Sequence, residues 1–198
     1  MAIGASAGGV SALRALVHAL PADLPAAVFI VLHLDPRAPS LLPMLLAAAT
    51  SLRSGDVRQE SLAVERTVYV AVPDYHLLVT NDRRVRLCSS APTHHLRPSV
   101  DALFESVALA WEAAAVGVVL TGSGRDGAQG MAAIKRNGGS TIAQDPAEAE
   151  YSGMPRAAIA TGFVDAVAPL AAIAAAISRA ATAAAARQSD ELRARRAR

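Results

Sequence analysis

The chain is poor in several things that would point to particular functions. It has one cysteine, Cys88, so no internal disulfide can form, and no spaced Cys/His set of the kind that holds zinc is present. His94 and His95 stand together without an HExxH frame, so neither a metal nor a cofactor is expected. Aromatic residues are only 4% of the chain and do not interleave the arginines, which leaves stacking on single-stranded nucleic acid unsupported and makes nucleic acid an unexpected partner. Met1 leads into AIGA without the basic start and apolar stretch of a secretory signal, which argues for the cytoplasm. The longest apolar segment, Ala166 to Ile177, contains Pro169, meets Arg179 and falls short of the roughly 18 residues a membrane span needs. A packed helix is expected there, with no membrane insertion.

What is present is apolar substance: 53% of 198 residues, with a formal charge of only +2. A chain of this size buries about 70% of the surface it exposes when unfolded, enough for one α/β domain. That domain is expected over residues 1–186. Residues 187–198 gather five arginines around Asp190 and Glu191 and read as a basic, fraying or disordered tail. Almost all the basic residues are arginine, Lys135 being the single lysine, a bias without chemical meaning.

Periodicity divides the rest. Residues 1–5 are a short apolar run that leads through Gly4 to Ser6, followed by helical spacing over Val10 to Leu20. AVFIVL (27–32) is a continuous run typical of a strand buried on both faces, and Ser40 to Ala49 is helical. Residues 67–88 change to short strands separated by Pro73–Asp74 and Asn81–Asp82, which predicts an antiparallel hairpin region. From Pro98 a helix runs through Trp111. Then come a strand at 116–120, a helix at about 127–136, a strand near 140–143, a helix over 157–160, a strand at 163–167 and an Ala-rich helix. Strands alternating with helices predict a three-layer, doubly wound α/β fold with a mostly parallel sheet.

In such a sheet, function lies beyond the carboxyl ends of the strands. GASAGG (4–9) satisfies G-x-S-x-G at a strand-to-helix turn, where small neighbours let Ser6 sit on a sharp exposed bend; the N–H of Ala7 and its neighbours is then a candidate oxyanion donor. Read alone, Ser6 is equally a helix cap. His33 ends the AVFIVL strand, a poor place for a core histidine. TGSGRDG (121–127) follows the next buried strand and places Asp126 at a helix start, either as an N-cap or as the carboxylate that orients an imidazole. Three complementary groups at three strand ends point to nucleophile, base and orienting acid, in the chain order Ser, His, Asp. Gln144 and Asp145 follow a further strand, with a turn role before Pro146 for Asp145, and Met154–Pro155 set a helix start.

The motifs GASAGG (4–9), VLHL (31–34), AVPDYHLLV (71–79), RPSVDALF (97–104), VVLTGSGRDGAQGM (118–131), AQD (143–145) and GMPRAAI (153–159) cover most of the chain. In order and spacing they resemble the catalytic domain of CheB-type protein-glutamate methylesterases of bacterial chemotaxis. The resemblance implies a serine hydrolase that removes methyl groups from glutamyl γ-methyl esters on the cytoplasmic helices of chemoreceptors, releasing methanol, often with glutamine deamidation as well. It places the triad on Ser6, His33 and Asp126, and it puts Arg97 and Ser99 near the cleft as weaker substrate-contact candidates. Family members commonly carry methionine where this chain has Ser123, which bears on the ester pocket. They also commonly begin with a receiver domain; none is seen here, so control is expected from a separate receiver or methyltransferase protein.

Two other classes compete. A dinucleotide-binding oxidoreductase is disfavoured because the glycine spacing is not G-x-G-x-x-G, the second strand ends in His33 and no Tyr-x-x-x-Lys pair exists. A non-catalytic binding module of the same fold, or an esterase or amidase with another substrate, differs from the first reading only in what it acts on.

Overall fold

The computed structural model describes residues 1–33, 40–93 and 96–196, with side chains through residue 187. His94, His95, Leu34 and the tail arginines beyond Arg187 lie outside the described residues or side chains.

Seven strands form one parallel sheet. In spatial order they are β10 (Ala166–Ala168), β9 (Ser140–Gln144), β8 (Val116–Val119), β1 (Ala2–Ala5), β2 (Val28–Leu32), β5 (Thr67–Val70) and β3 (Arg53–Ser54). Their apolar runs follow from burial on both faces. Ile3, Ile30 and Val118 point to one side, where α1 (Gly9–Ala19), α2 (Leu42–Ala47) and α6 (Leu170–Arg196) pack through Leu13, Leu16, Leu46, Ile173 and Ile177. Ala2, Phe29 and Val119 point to the other, against α3 (Val100–Trp111), α4 (Ala128–Arg136) and α5 (Gly153–Ala160) through Leu103, Phe104, Met131 and Ala158. This is the three-layer arrangement that the alternating pattern predicts.

Two details differ from the sequence expectation. The hairpin region is smaller: TVYV forms β5 and joins the parallel sheet beside β2, and only β4 (Ser61–Leu62), β6 (His76–Val79) and β7 (Arg84–Cys88) form the antiparallel sheet. The Pro73–Asp74 turn signal marks where the chain leaves the large sheet, and turn chemistry does not specify which partner the preceding strand takes. Second, α6 continues to Arg196, so the boundary drawn at residue 187 falls inside a helix, where the Arg187 guanidinium donates to the Ala113 carbonyl at 3.1 Å. Over Leu170–Arg187 this helix is long and apolar enough to cross a membrane by length and composition, yet Ile173, Ala174, Ile177, Ala181 and Ala184 are buried against the core.

The strand order positions the site. Strand β1 lies between β2 and β8, and the crossovers leaving it on either side place helices on opposite faces, so a crevice opens at its carboxyl end. The α3 N-terminus comes very close to that end: a Cβ on Gly4 would stand 2.2 Å from Val100 Cγ1, and one on Gly127, which has a φ of +98°, would stand 2.8 Å from the same atom. Glycine at both positions is what lets α3 reach the site.

Candidate active site

Ser6, His33 and Asp126 follow the ends of β1, β2 and β8, three adjacent strands. Ala5 is in register with Leu32 and Gly4 with Val119, and neighbouring strands lie about 4.8 Å apart, so the three residues share one end of the crevice. The backbone pins this arrangement: the His33 N–H donates to the Ala5 carbonyl at 3.3 Å, and the Ser6 N–H donates to the Thr121 carbonyl at 3.0 Å.

His33 Nε2 lies 2.7 Å from Asp126 Oδ2. The imidazole is 13% exposed and the carboxylate 2%, so the pair sits at the floor of the crevice with one edge of the ring open. Asp126 is also held by the first turn of α3. Its Oδ2 accepts the Val100 N–H at 2.6 Å, and its Oδ1 accepts the Asp101 N–H at 2.9 Å and the Ser99 hydroxyl at 3.0 Å. Burial pushes the Asp126 carboxyl up, but the hydrogen bonds from His33, Asp101 and Val100 outweigh it and hold the group below the usual carboxylate range. An ionised Asp126 accepts from Nε2–H, which fixes the tautomer and leaves Nδ1 as the nitrogen with a free lone pair.

The turn carrying Ser6 is clamped from two sides. The Thr121 hydroxyl donates to the Ala7 carbonyl at 3.1 Å, while buried Gln144 accepts the Thr121 N–H at 2.8 Å. Gly122 sits directly against Ser6: a Cβ there would lie 2.9 Å from Ser6 Cβ and 2.3 Å from Met154 Sδ. Ser6, Ala7 and Gly8 are half-buried, and the N–H groups of Ala7 and Gly8 and the Ser6 hydroxyl make no hydrogen bond among the described residues. Two backbone donors at the start of α1, where the helix dipole is positive, can therefore donate to a developing anion.

The other candidates are placed as follows. Ser99 is fully buried; it is the N-cap of α3, accepting the Ala102 N–H at 3.3 Å, and its hydroxyl reaches Asp126 rather than the open crevice. Arg97 donates to Asp74 Oδ1 at 2.6 and 3.0 Å and to the carbonyls of Ser89 and Ser90 at 3.0 Å, which ties the loop before α3 to the turn before β6. Ser123 is exposed and its side chain is unbonded among the described residues. No group of three or more His, Cys, Asp or Glu suited to a metal occurs among the described residues.

Three contributors lie outside the residues picked from sequence. Gly122 and Met154 pack at the Ser6 turn, and Asp101, one residue into the RPSVD motif's helix, accepts the N–H groups of Gly127 and Gly130 at 2.8 Å each. An acid in a helix's first turn ordinarily signals only dipole complementarity, which hides its role at another helix. On the same edge of the sheet, beyond the end of β5, a groove of about 550 Å³ is lined by Ser40, Pro43, Val72, Pro73, Tyr75 and Leu87, with Arg58 at its side.

Comparison with known proteins adds four findings. The family described as CheB methylesterase matches residues 1–177. A protein-glutamate methylesterase/protein-glutamine glutaminase of Symbiobacterium thermophilum is 41% identical over 178 residues, covering 90% of this chain and 49% of that protein. One from Burkholderia orbicola is 43% identical over 170 residues, 86% of this chain and 50% of that protein, so the chain spans about half the length of both. The crystal structure of the Thermotoga maritima CheB methylesterase catalytic domain superposes with a TM-score of 0.82 at 30% identity, covering 90% of this chain and 96% of that one.

Proposed function

Because the chain belongs to the CheB methylesterase family, we propose that it is a serine hydrolase that demethylates glutamyl γ-methyl esters on the cytoplasmic helices of chemoreceptors. The observation that carries this reading is the hydrogen-bonded His33–Asp126 pair, with Ser6 following the strand between those that His33 and Asp126 follow.

Ser6 Oγ attacks the ester carbonyl carbon and its proton passes to His33 Nδ1, the nitrogen that Asp126 leaves free. Asp126 stabilises the resulting imidazolium through Nε2–H and stays ionised throughout. The carbonyl oxygen becomes an oxyanion held by the Ala7 N–H, with Gly8 beside it. As the carbon–oxygen bond to the methoxy group breaks, Nδ1 returns its proton and methanol leaves. Water, deprotonated by Nδ1, then attacks the acyl-Ser6 ester and frees the glutamate carboxyl group. This arrangement mirrors the familiar triad with the two imidazole nitrogens exchanged.

A γ-amide presents the same carbonyl with ammonia as leaving group, and the relatives' names pair the two activities. Glutamine deamidation by the same residues is therefore the second reading. The apolar groove near Tyr75 and Leu87 suits the side of a receptor helix flanking the reacting glutamate. A substrate on the cytoplasmic helices of a receptor calls for a protein that works in the cytoplasm.

The test is methanol release from methylated chemoreceptor membranes by wild type and Ser6→Ala in parallel. Release by wild type alone is expected; equal release by both removes Ser6 as nucleophile, and release by neither removes the receptor ester as substrate.

A further inference from the structure

Asp101 and Asp126 are joined by a reciprocal clasp. Asp126, just before α4, accepts the N–H of Asp101 at the start of α3; Asp101 accepts the N–H of Gly127, the residue after Asp126, and of Gly130 in α4. Each carboxylate thus caps the helix that carries or follows the other. The helices are close enough for this because residue 130 is glycine: a Cβ there would lie 2.4 Å from Phe104 Cβ and 3.2 Å from the Asp101 backbone. Both aspartates are buried, at 3% and 4% exposure, and each carboxylate accepts an N–H at or next to the other residue, which holds the two side by side.

We propose that Asp101 is a positioning residue that sets how strongly Asp126 holds the His33 imidazolium, acting through this clasp. The proposal rests on the hydrolase reading of Ser6, His33 and Asp126. When Asp101 is ionised, two negative charges lie side by side and, among the described residues, the His33 imidazolium is the one charged partner that offsets them. When Asp101 carries a proton, its negative charge is gone and it can donate that proton to the Asp126 carboxylate in place of the Ser99 hydroxyl, which rotates away, so Asp126's pull on the imidazolium weakens. No lysine or arginine pairs with either carboxylate among the described residues. The titratable groups facing the clasp are His33 from the end of β2 and, behind Ser99, His76 of β6, whose Nδ1 accepts the Ser99 N–H at 3.3 Å; α4 offers only the backbone N–H groups of Gly127 and Gly130. Burial, together with the charge of Asp126, pushes the Asp101 carboxyl up to about 6, against the lowering effect of the two glycine amides. The switch between the two states therefore falls within a range where activity can be followed.

Asp101→Asn keeps an oxygen for Gly127 and Gly130 and presents a permanent donor to Asp126, which mimics the protonated state at every pH. The experiment measures the rate of Ser6 phosphonylation by a serine-directed phosphonate, in wild type and Asp101→Asn, from pH 5 to pH 8. A hydrogen bond to a charged partner is worth enough to change a rate roughly tenfold. Wild type is expected to react about tenfold faster than the variant at pH 8, with the ratio falling towards one at pH 5. A ratio that stays constant with pH, as a purely structural role would give, overturns the proposal. Difference infrared spectra of the intact protein supply a readout independent of any reaction. Wild type should show the carbonyl stretch of a buried carboxylic acid that grows between pH 8 and pH 5, and Asp101→Asn should lack it. If wild-type Ser6 does not react, the hydrolase reading falls, and the infrared band still decides Asp101: no such band in wild type, or the same band in both proteins, refutes its proton.

Discussion

Asp126→Asn separates the roles packed into one carboxylate. The two oxygens of Asp126 each accept a backbone N–H, Val100 on Oδ2 and Asp101 on Oδ1, and neither donor can turn round. An amide must therefore set its NH2 group against one of them. If the NH2 takes the place of Oδ2, it also faces His33 Nε2, which then has to accept; the ring proton moves to Nδ1, and the lone pair that would deprotonate Ser6 is gone. If it takes the place of Oδ1, the Ser99 hydroxyl can rotate to accept, and His33 keeps its tautomer but loses the negative charge that stabilises the imidazolium. Either orientation leaves a buried backbone donor unpaired, at about 1–3 kcal/mol. The catalytic loss should be about 10³–10⁴-fold in kcat, or roughly 4–5 kcal/mol in the barrier, with little change in KM. Methanol release measured under single-turnover conditions, alongside thermal unfolding, tests this. A folded Asp126→Asn protein within tenfold of wild type refutes the reasoning about tautomer and charge.

Further outcomes follow from the surrounding packing. Gly122→Ala places a methyl group 2.9 Å from Ser6 Cβ; Met154 can swing away but the nucleophile turn cannot, so kcat should fall about 10- to 100-fold while the far-ultraviolet circular dichroism spectrum is unchanged. Arg97→Ala removes the Asp74 ion pair and two carbonyl contacts from a partly exposed loop, which should cost about 1–2 kcal/mol in denaturant unfolding while leaving kcat within a few-fold of wild type. Ser123→Ala removes an exposed, unbonded hydroxyl and should change methanol release less than about twofold. Stability should also depend on Asp101. Its carboxyl is raised from 3.8 to about 6 on folding, so the folded state binds that proton more tightly, and the associated stability is full below pH 3.8 and lost as pH rises through 6. At about 1.4 kcal/mol per pH unit, that amounts to as much as about 3 kcal/mol. Asp101→Asn should therefore be the more stable protein at pH 8, with an advantage that shrinks toward pH 5; a less stable variant at pH 8 contradicts the assignment. Asp126, lowered on folding, works in the opposite sense and loses its contribution only as the solution becomes strongly acidic.

Much of this was legible in the residues. Apolar runs such as AVFIVL, short and β-branched, read as strands buried on both faces, and a parallel sheet directs attention to the residues after them, which is where Ser6, His33 and Asp126 stand. The sequence was less informative wherever a residue serves an element other than its own. Asp126 reads as the cap of the helix it heads, yet its oxygens bind the first turn of α3, and Asp101 in α3 returns the favour to α4. Ser99 reads as a crevice residue and is instead the buried cap that braces Asp126. The pairing of β5 with β2 joins residues 40 apart in sequence, such as Val28 and Val68, and the approach of Gly122 to Ser6 is longer in range still. The two-residue strands β3 and β4 are largely exposed and carry no apolar pattern by which to find them.

The most direct measurement of the central claim is the site of covalent labelling by a serine-directed phosphonate, mapped by peptide mass spectrometry in wild type, Ser6→Ala and His33→Ala. The account predicts a single adduct on Ser6 in wild type, none in Ser6→Ala, and labelling slowed by orders of magnitude in His33→Ala. An adduct on another serine, or equal labelling of Ser6 without His33, would contradict it.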